Sequence, residues 1–116
     1  MNIVEIARTW LGTKFHHQGR KKHVGVDCIG LVIGVARELG FEVKDRLDYA
    51  RQPSGGQLEA ALSQYLQPCN LQEGCVVLFK IKNEPQHVGI VSKQEAVGSE
   101  QFGLIHAYAQ SRKVVE

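Results

Sequence analysis

No window of this chain stays apolar for the roughly 18 residues that a membrane-spanning helix needs. Charge of one sign is also scarce. Fourteen Lys and Arg against 12 Asp and Glu leave a net charge of +2, too small a surplus for a nucleic-acid-binding protein. Cysteines number only three, an odd count that argues against a disulfide framework. Cys69 and Cys75 could pair in an oxidising setting, but the expectation is a pair of buried thiols, because cysteine packs as a small hydrophobe. No C-x-x-C or H-x-x-x-H spacing occurs, so no zinc or other metal site is expected. Internal repeats, low-complexity tracts and interdomain linkers are missing. A length of 116 residues suits one domain, residues 1–116, around one core. Met1-Asn2-Ile3-Val4-Glu5 lacks the basic and apolar regions of a secretory signal. The expectation is therefore a protein that begins in the cytoplasm and leaves, if at all, by another route.

The chain has two kinds of periodicity, in sequence. Residues 2–11 read as a helix with Ile3, Ile6, Ala7, Trp10 and Leu11 on one face. Asn2 and Glu5 form its capping box, and Gly12 its stop. Residues 13–26 show no period and read as a long loop. They hold Lys14, Arg20, Lys21, Lys22 and His23, either a solvated face or a rim that attracts an anionic substrate. A second helix is predicted from Cys28 to Leu39, with Asp27 as N-cap and Gly40 as stop. Its first two turns are apolar all round, which makes it central. Residues 41–53 read as an irregular connection. Ser54 and Gln57 then open a third helix, striped by Leu58, Ala61, Leu62, Tyr65 and Leu66 and ended by Pro68. Strands follow over Cys75–Ile81, His87–Ser92 and Phe102–Tyr108, and Lys113-Val114-Val115 begins a fourth. Asn83-Glu84-Pro85 and residues 94–101 are their turns. Helices first and an antiparallel meander afterwards make an α+β domain.

Within this frame the chemistry centres on Asp27-Cys28-Ile29-Gly30-Leu31. A cysteine that opens a helix meets the positive end of the helix dipole and unsatisfied backbone N–H groups, which favour the thiolate. A lone cysteine is more often structural. Here its neighbours are already apolar enough to form a core, so packing alone does not call for sulfur. His87 lies on a strand with Gly89, whose missing side chain leaves room for the cysteine helix to approach. His106 lies on the next strand, and a hydrogen bond between the two imidazoles would fix the tautomer of His87. Taken singly, each histidine also fits a satisfied core or edge position. His17 and Gln18 are candidates for substrate contact.

Trp10-Leu11-Gly12-Thr13, His17-Gln18, Asp27-Cys28-Ile29-Gly30-Leu31, His87-Val88-Gly89-Ile90 and Ile105-His106-Ala107 together resemble the NlpC-type cell-wall cysteine peptidases, in particular their phage and prophage tail branch. The resemblance implies a papain-like α+β fold, with N-terminal helices and a central Cys-bearing helix packed on an antiparallel sheet. It implies Cys28 as nucleophile, His87 as general base and His106 as the third polar group, with no cofactor. It implies the murein (peptidoglycan) stem peptide as substrate, cut between D-glutamate and a diamino acid, and phage tail proteins as partners. Three departures stand out. Phe15 holds a place where many relatives have an oxyanion-assisting tyrosine, so Tyr49 or Gln18 is the substitute donor to look for. Cys75 follows Gly74 where many relatives have aspartate. The chain also ends soon after His106, which suggests a C-terminally short version. These departures keep two rivals open: a tail module that binds wall fragments without cutting them, and another amidase or transacylase on the same fold.

Overall fold

The change of period from helical to alternating sets the architecture. A computed structural model describes residues 1–45, 56–81, 84–96 and 99–116. Among these residues lie helices α1 (Ile3–Arg8), α2 (Cys28–Glu38) and α3 (Gln57–Ser63). A small hairpin pairs β1 (Arg20–Lys21) with β2 (Gly25–Val26). The main sheet is an antiparallel meander in the order β3 (Val76–Ile81), β4 (Glu84–Ala96), β5 (Ser99–Tyr108) and β6 (Lys113–Val115). The α+β expectation holds.

Asn2 opens α1. Its Oδ1 accepts the Glu5 N–H at 2.8 Å, and its Nδ2 donates to Glu5 Oε1 at 2.9 Å. The helix is shorter than the 2–11 reading. After Arg8 the backbone tightens into i→i+3 bonds, from Thr9 N to Ile6 O, Trp10 N to Ala7 O and Leu11 N to Arg8 O. The Thr9 hydroxyl also turns back onto Ile6 O, at 2.6 Å. The chain then runs along the last strand: Gly12 N donates to Val114 O, Val114 N to Thr13 O, and Phe15 N to Arg112 O.

α2 crosses the sheet as the central helix. Leu31 and Val35 pack with Val4, Ile6, Ala7 and Trp10 of the N-terminal segment and with Val26, Ile90, Ile105, Ala107 and Val114. Each large apolar side chain in that set contributes roughly 1.5–3 kcal/mol by leaving water. Gly34 is required by the packing, since a Cβ there would strike the Trp10 ring. Gly40, at φ +95°, ends the helix as the sequence suggested.

Elsewhere the boundaries move. The loop over 13–26 contains β1 and β2, and Lys14 and Phe15 make single bridges to Lys113 and Val26. Two-residue pairings are too short to show alternation. α3 begins after Gly56, which is left-handed and gives no side-chain cap; the Ser54 end of the expected capping box lies outside the described residues. Of its apolar stripe only Leu58 is buried, while Tyr65 and Leu66 are 46% and 42% exposed. Glu84 and Pro85 belong to β4 and pair with β3 beyond a bulge between Phe79 and Lys80. Proline is tolerated there because the β4–β5 ladder begins only at Ile90 opposite Ile105. At the other end β4 and β5 run into the supposed polar turn, pairing Gln94 with Gln101 and Ala96 with Ser99. A polar hairpin arm carries no hydrophobic alternation to betray it.

Candidate active site

The position of Cys28 follows from its neighbours. Asp27 is buried and caps α2. Its Oδ1 accepts the Gly30 N–H at 2.8 Å, and its carbonyl accepts the Leu31 N–H at 3.0 Å. The same carboxylate fastens the loop before it, accepting the Gln18 N–H at 2.9 Å and Arg20 Nη1 at 3.0 Å. Arg20 continues to Asp45, with Nε 2.7 Å from Oδ2. Gly30 has no side chain because the loop rides directly over it, and a Cβ would meet the Gly19 carbonyl oxygen. Leu31 anchors the turn in the core. The Asp-Cys-x-Gly-Leu pattern is thus a cap, a thiol, a clearance and an anchor within little more than one helical turn.

The basic cluster is partly committed. Arg20 serves Asp27 and Asp45. Lys22 Nζ binds Glu38 Oε1 at 2.9 Å and Thr9 Oγ1 at 2.6 Å, 5.3 Å from the Trp10 ring centroid. Lys14, Lys21 and His23 are exposed.

The histidines come together just beyond the end of the β4–β5 ladder. His87 Nε2 and His106 Nδ1 are 2.7 Å apart. Gly89 plays a different part from the one expected. The space over it is filled by β5, since a Cβ would come within 2.6 Å of Leu104 Cδ1 and 3.1 Å of His106 Cβ. It brings the second histidine in, not the helix. Two residues unforeseen in the sequence complete the group. Tyr108 stacks on His106 at 5.3 Å and stands edge-on to His87 at 5.7 Å. Phe79 lies 5.9 Å from His87. Their signal was available only through pairing: Phe79 opposes His87 in the β3–β4 register, and Tyr108 follows His106 by two.

Burial pushes the Cys28 thiol up to about 11, and the Asp27 charge adds to it. Backbone N–H groups of Val88, Ile29 and Cys28 itself pull the other way. The sulfur therefore meets the backbone of the residue that follows His87. Burial first, and then the charge of His106, pushes His87 down to about 4; burial lowers His106 as well. Desolvation thus works against the resting thiolate that the helix terminus was expected to favour, and it favours the neutral imidazole.

The other sequence candidates are more scattered. Phe15 is half-buried and packs against the core cluster. His17 and Gln18 are half-buried in the capping loop, and Gln18 adopts φ +59° to present its N–H to Asp27. Tyr49 lies outside the described residues. Cys69 and Cys75 are not the buried thiols expected: Cys69 is exposed and Cys75 half-buried. Among the described residues no group of three or more His, Cys, Asp or Glu is placed to hold a metal ion. No helix there is long and apolar enough to cross a membrane.

The NlpC/P60 family matches residues 12–115. Over 114 residues, 97% of its length, the chain is 30% identical to a protein of Escherichia coli (strain K12) named murein DD-endopeptidase MepS/murein LD-carboxypeptidase. It is equally similar to the protein of that name from Escherichia coli O157:H7. The chain spans 52% of the length of these curated relatives. No solved structure matches it. With a cysteine opening the central helix, two joined histidines on the adjoining sheet and a family match reaching from residue 12 to residue 115, the chain belongs to the NlpC/P60 family.

Proposed function

We propose that residues 1–116 act as a murein peptidase in which Cys28 attacks, His87 transfers the proton and His106 holds His87. The observation that carries this reading is the convergence at β4: the Cys28 sulfur meets the Val88 N–H, and the preceding residue, His87, has Nε2 tied to His106 Nδ1. In this reading His87 donates its Nε2–H to His106, which leaves the Nδ1 lone pair of the neutral ring to take the Cys28 proton. Since burial favours the uncharged form of both groups, the thiol proton moves to Nδ1 as sulfur bonds to the scissile carbonyl carbon. The carbonyl oxygen gains the negative charge, and the Cys28 and Ile29 N–H groups at the mouth of α2 donate hydrogen bonds to it. Such donors are typically worth about 3–4 kcal/mol each. His87 then gives its proton to the leaving amine. It next takes one from water, which releases the acyl group and restores the thiol. His106 stays neutral, as its lowered value favours, and accepts the Nε2–H throughout.

The stem peptide of murein is the substrate in this reading, with exposed Lys14 and Lys21 available to its carboxylates. The D-glutamyl–diamino acid bond comes from the motif resemblance. A second reading, the D,D cross-link or an L,D bond, is favoured by the names of the similar Escherichia coli proteins. Mass spectrometry of products from defined muropeptides separates the two. A Cys28→Ala variant that still digested murein would end the proposal. Retained binding without cleavage by the parent protein would instead favour the non-cutting module. Iodoacetamide at neutral pH should modify Cys28 more slowly than exposed Cys69, and the Cys28 rate should climb into the alkaline range. Fast modification of Cys28 at pH 6 would show a preformed ion pair. The phage-tail setting belongs to this proposal too. Co-sedimentation with phage particles tests it, and recovery only as free protein removes tail proteins from the partners.

A further inference from the structure

We propose that Cys69 and Cys75 form a reversible disulfide by exchange with small-molecule disulfides, a modification site separate from the Cys28 chemistry. Their sulfurs are 3.2 Å apart as free thiols. A disulfide needs about 2.05 Å, so closure asks for a shift of roughly an ångström between side chains in a surface connection. The segment between them is already curled: the Cys75 thiol donates to Asn70 O at 3.2 Å, and Cys75 N to Gln72 O at 3.2 Å. Access is asymmetric in a useful way. Cys69 is exposed and Cys75 half-buried, and both line a cavity of about 330 Å³ with Ile3, Leu66 and Gly74. The ring that would close is also fixed at one end. Gly74 N donates to Val91 O, and Val91 N to Cys75 O, each at 2.8 Å. Closure therefore ties the α3–β3 connection to β4, the strand that carries His87.

The step balances as two exchanges. Cys69, as thiolate, attacks one sulfur of the external disulfide, forms a mixed disulfide and releases one small thiol. Cys75 then attacks the Cys69 sulfur and displaces the second small thiol. The protein loses two hydrogens and two electrons, and the external disulfide is reduced to two thiols. The half-buried partner resolves what the exposed one captures, so no adduct accumulates.

The test uses the native 116-residue chain in glutathione disulfide, followed by acid quenching, denaturing alkylation and peptide mass spectrometry. Free thiols should fall from three to one, with a Cys69–Cys75 cross-link, Cys28 still free, and full reversal by dithiothreitol. The Cys75→Ser variant should retain a stable glutathione adduct on Cys69. Three free thiols under conditions that oxidise a control dithiol would overturn the proposal. So would a lasting Cys69 adduct in the native chain, or a disulfide that includes Cys28.

Discussion

Two connections lead into the elements that carry the site, and they are built in opposite ways. Residues 13–27 enter α2 through a charged lattice: Asp27 binds Gly30, Gln18 and Arg20, Arg20 binds Asp45, and Gly19 rests on Gly30. Residues 64–75 enter β3 almost bare. Tyr65, Leu66, Cys69 and Leu71 are exposed, and α3 before them buries only Leu58 of its stripe. The helix that presents the thiol has to be held to a fraction of an ångström, and close polar and steric fits do that. The second connection only has to deliver a strand whose ladder to β4 positions it anyway. Precision is local to what precedes the cysteine.

The largest effect that separates the two connections is on activity. Cys28→Ala should lower murein hydrolysis by at least about a thousandfold and leave the thermal midpoint near that of the parent. Cys69→Ser, in the bare connection, should hydrolyse within about twofold. Equal losses in the two would erase the distinction. Next comes Gly30→Ala. Its Cβ would press on the Gly19 backbone carbonyl, so urea unfolding should show a loss of about 3 kcal/mol. Asp27→Ala removes the cap and leaves Arg20 without one of its partners, at about 2–3 kcal/mol. Asp27→Asn keeps a capping oxygen and should lose less. Acid acts on the histidines. His87 falls from 6.5 to about 4 on folding, so between those values the unfolded chain holds more protons. Stability therefore rises with pH across that window and is lost as pH falls through it. Allowing for the partial solvent access of the ring, the loss is about 1–2 kcal/mol, and His87→Gln should flatten it. Smallest of all is Leu71→Ser at 61% exposure, expected within about 0.5 kcal/mol of the parent. A larger change would mean that the bare connection is tighter than its exposure indicates.

The same contrast marks what could be read from the amino-acid order. α2 was legible from end to end, because Asp27, the apolar turns and Gly40 are all local signals. The meander was legible for the same reason, through the alternation at Val88–Val91 and Ile105–Ala107. The histidine contact was anticipated as a cross-strand pair, but it lies past the last rung of the ladder, and only a register can show that. The Arg20–Asp27–Asp45 chain was invisible, because it joins residues separated by loops of no regular period. The burial of Cys28 was not foreseen: a dipole can be inferred from sequence, whereas the depth of burial that opposes it depends on the assembled sheet. Gly89 was read as clearance for the wrong neighbour, since a missing side chain tells that something comes close but not what.

The stitching of residues 12–15 onto β6 carries a consequence for biosynthesis. Gly12 and Thr13 exchange backbone bonds with Val114, a partner roughly a hundred residues further along. While the polypeptide is still emerging from a ribosome, the edge that braces the thiol's approach loop has nothing to bond to. Local helices can form early, but the seat of the nucleophile closes only when the far end of the domain arrives, so nascent fragments lacking β6 should be unarmed and protease-sensitive.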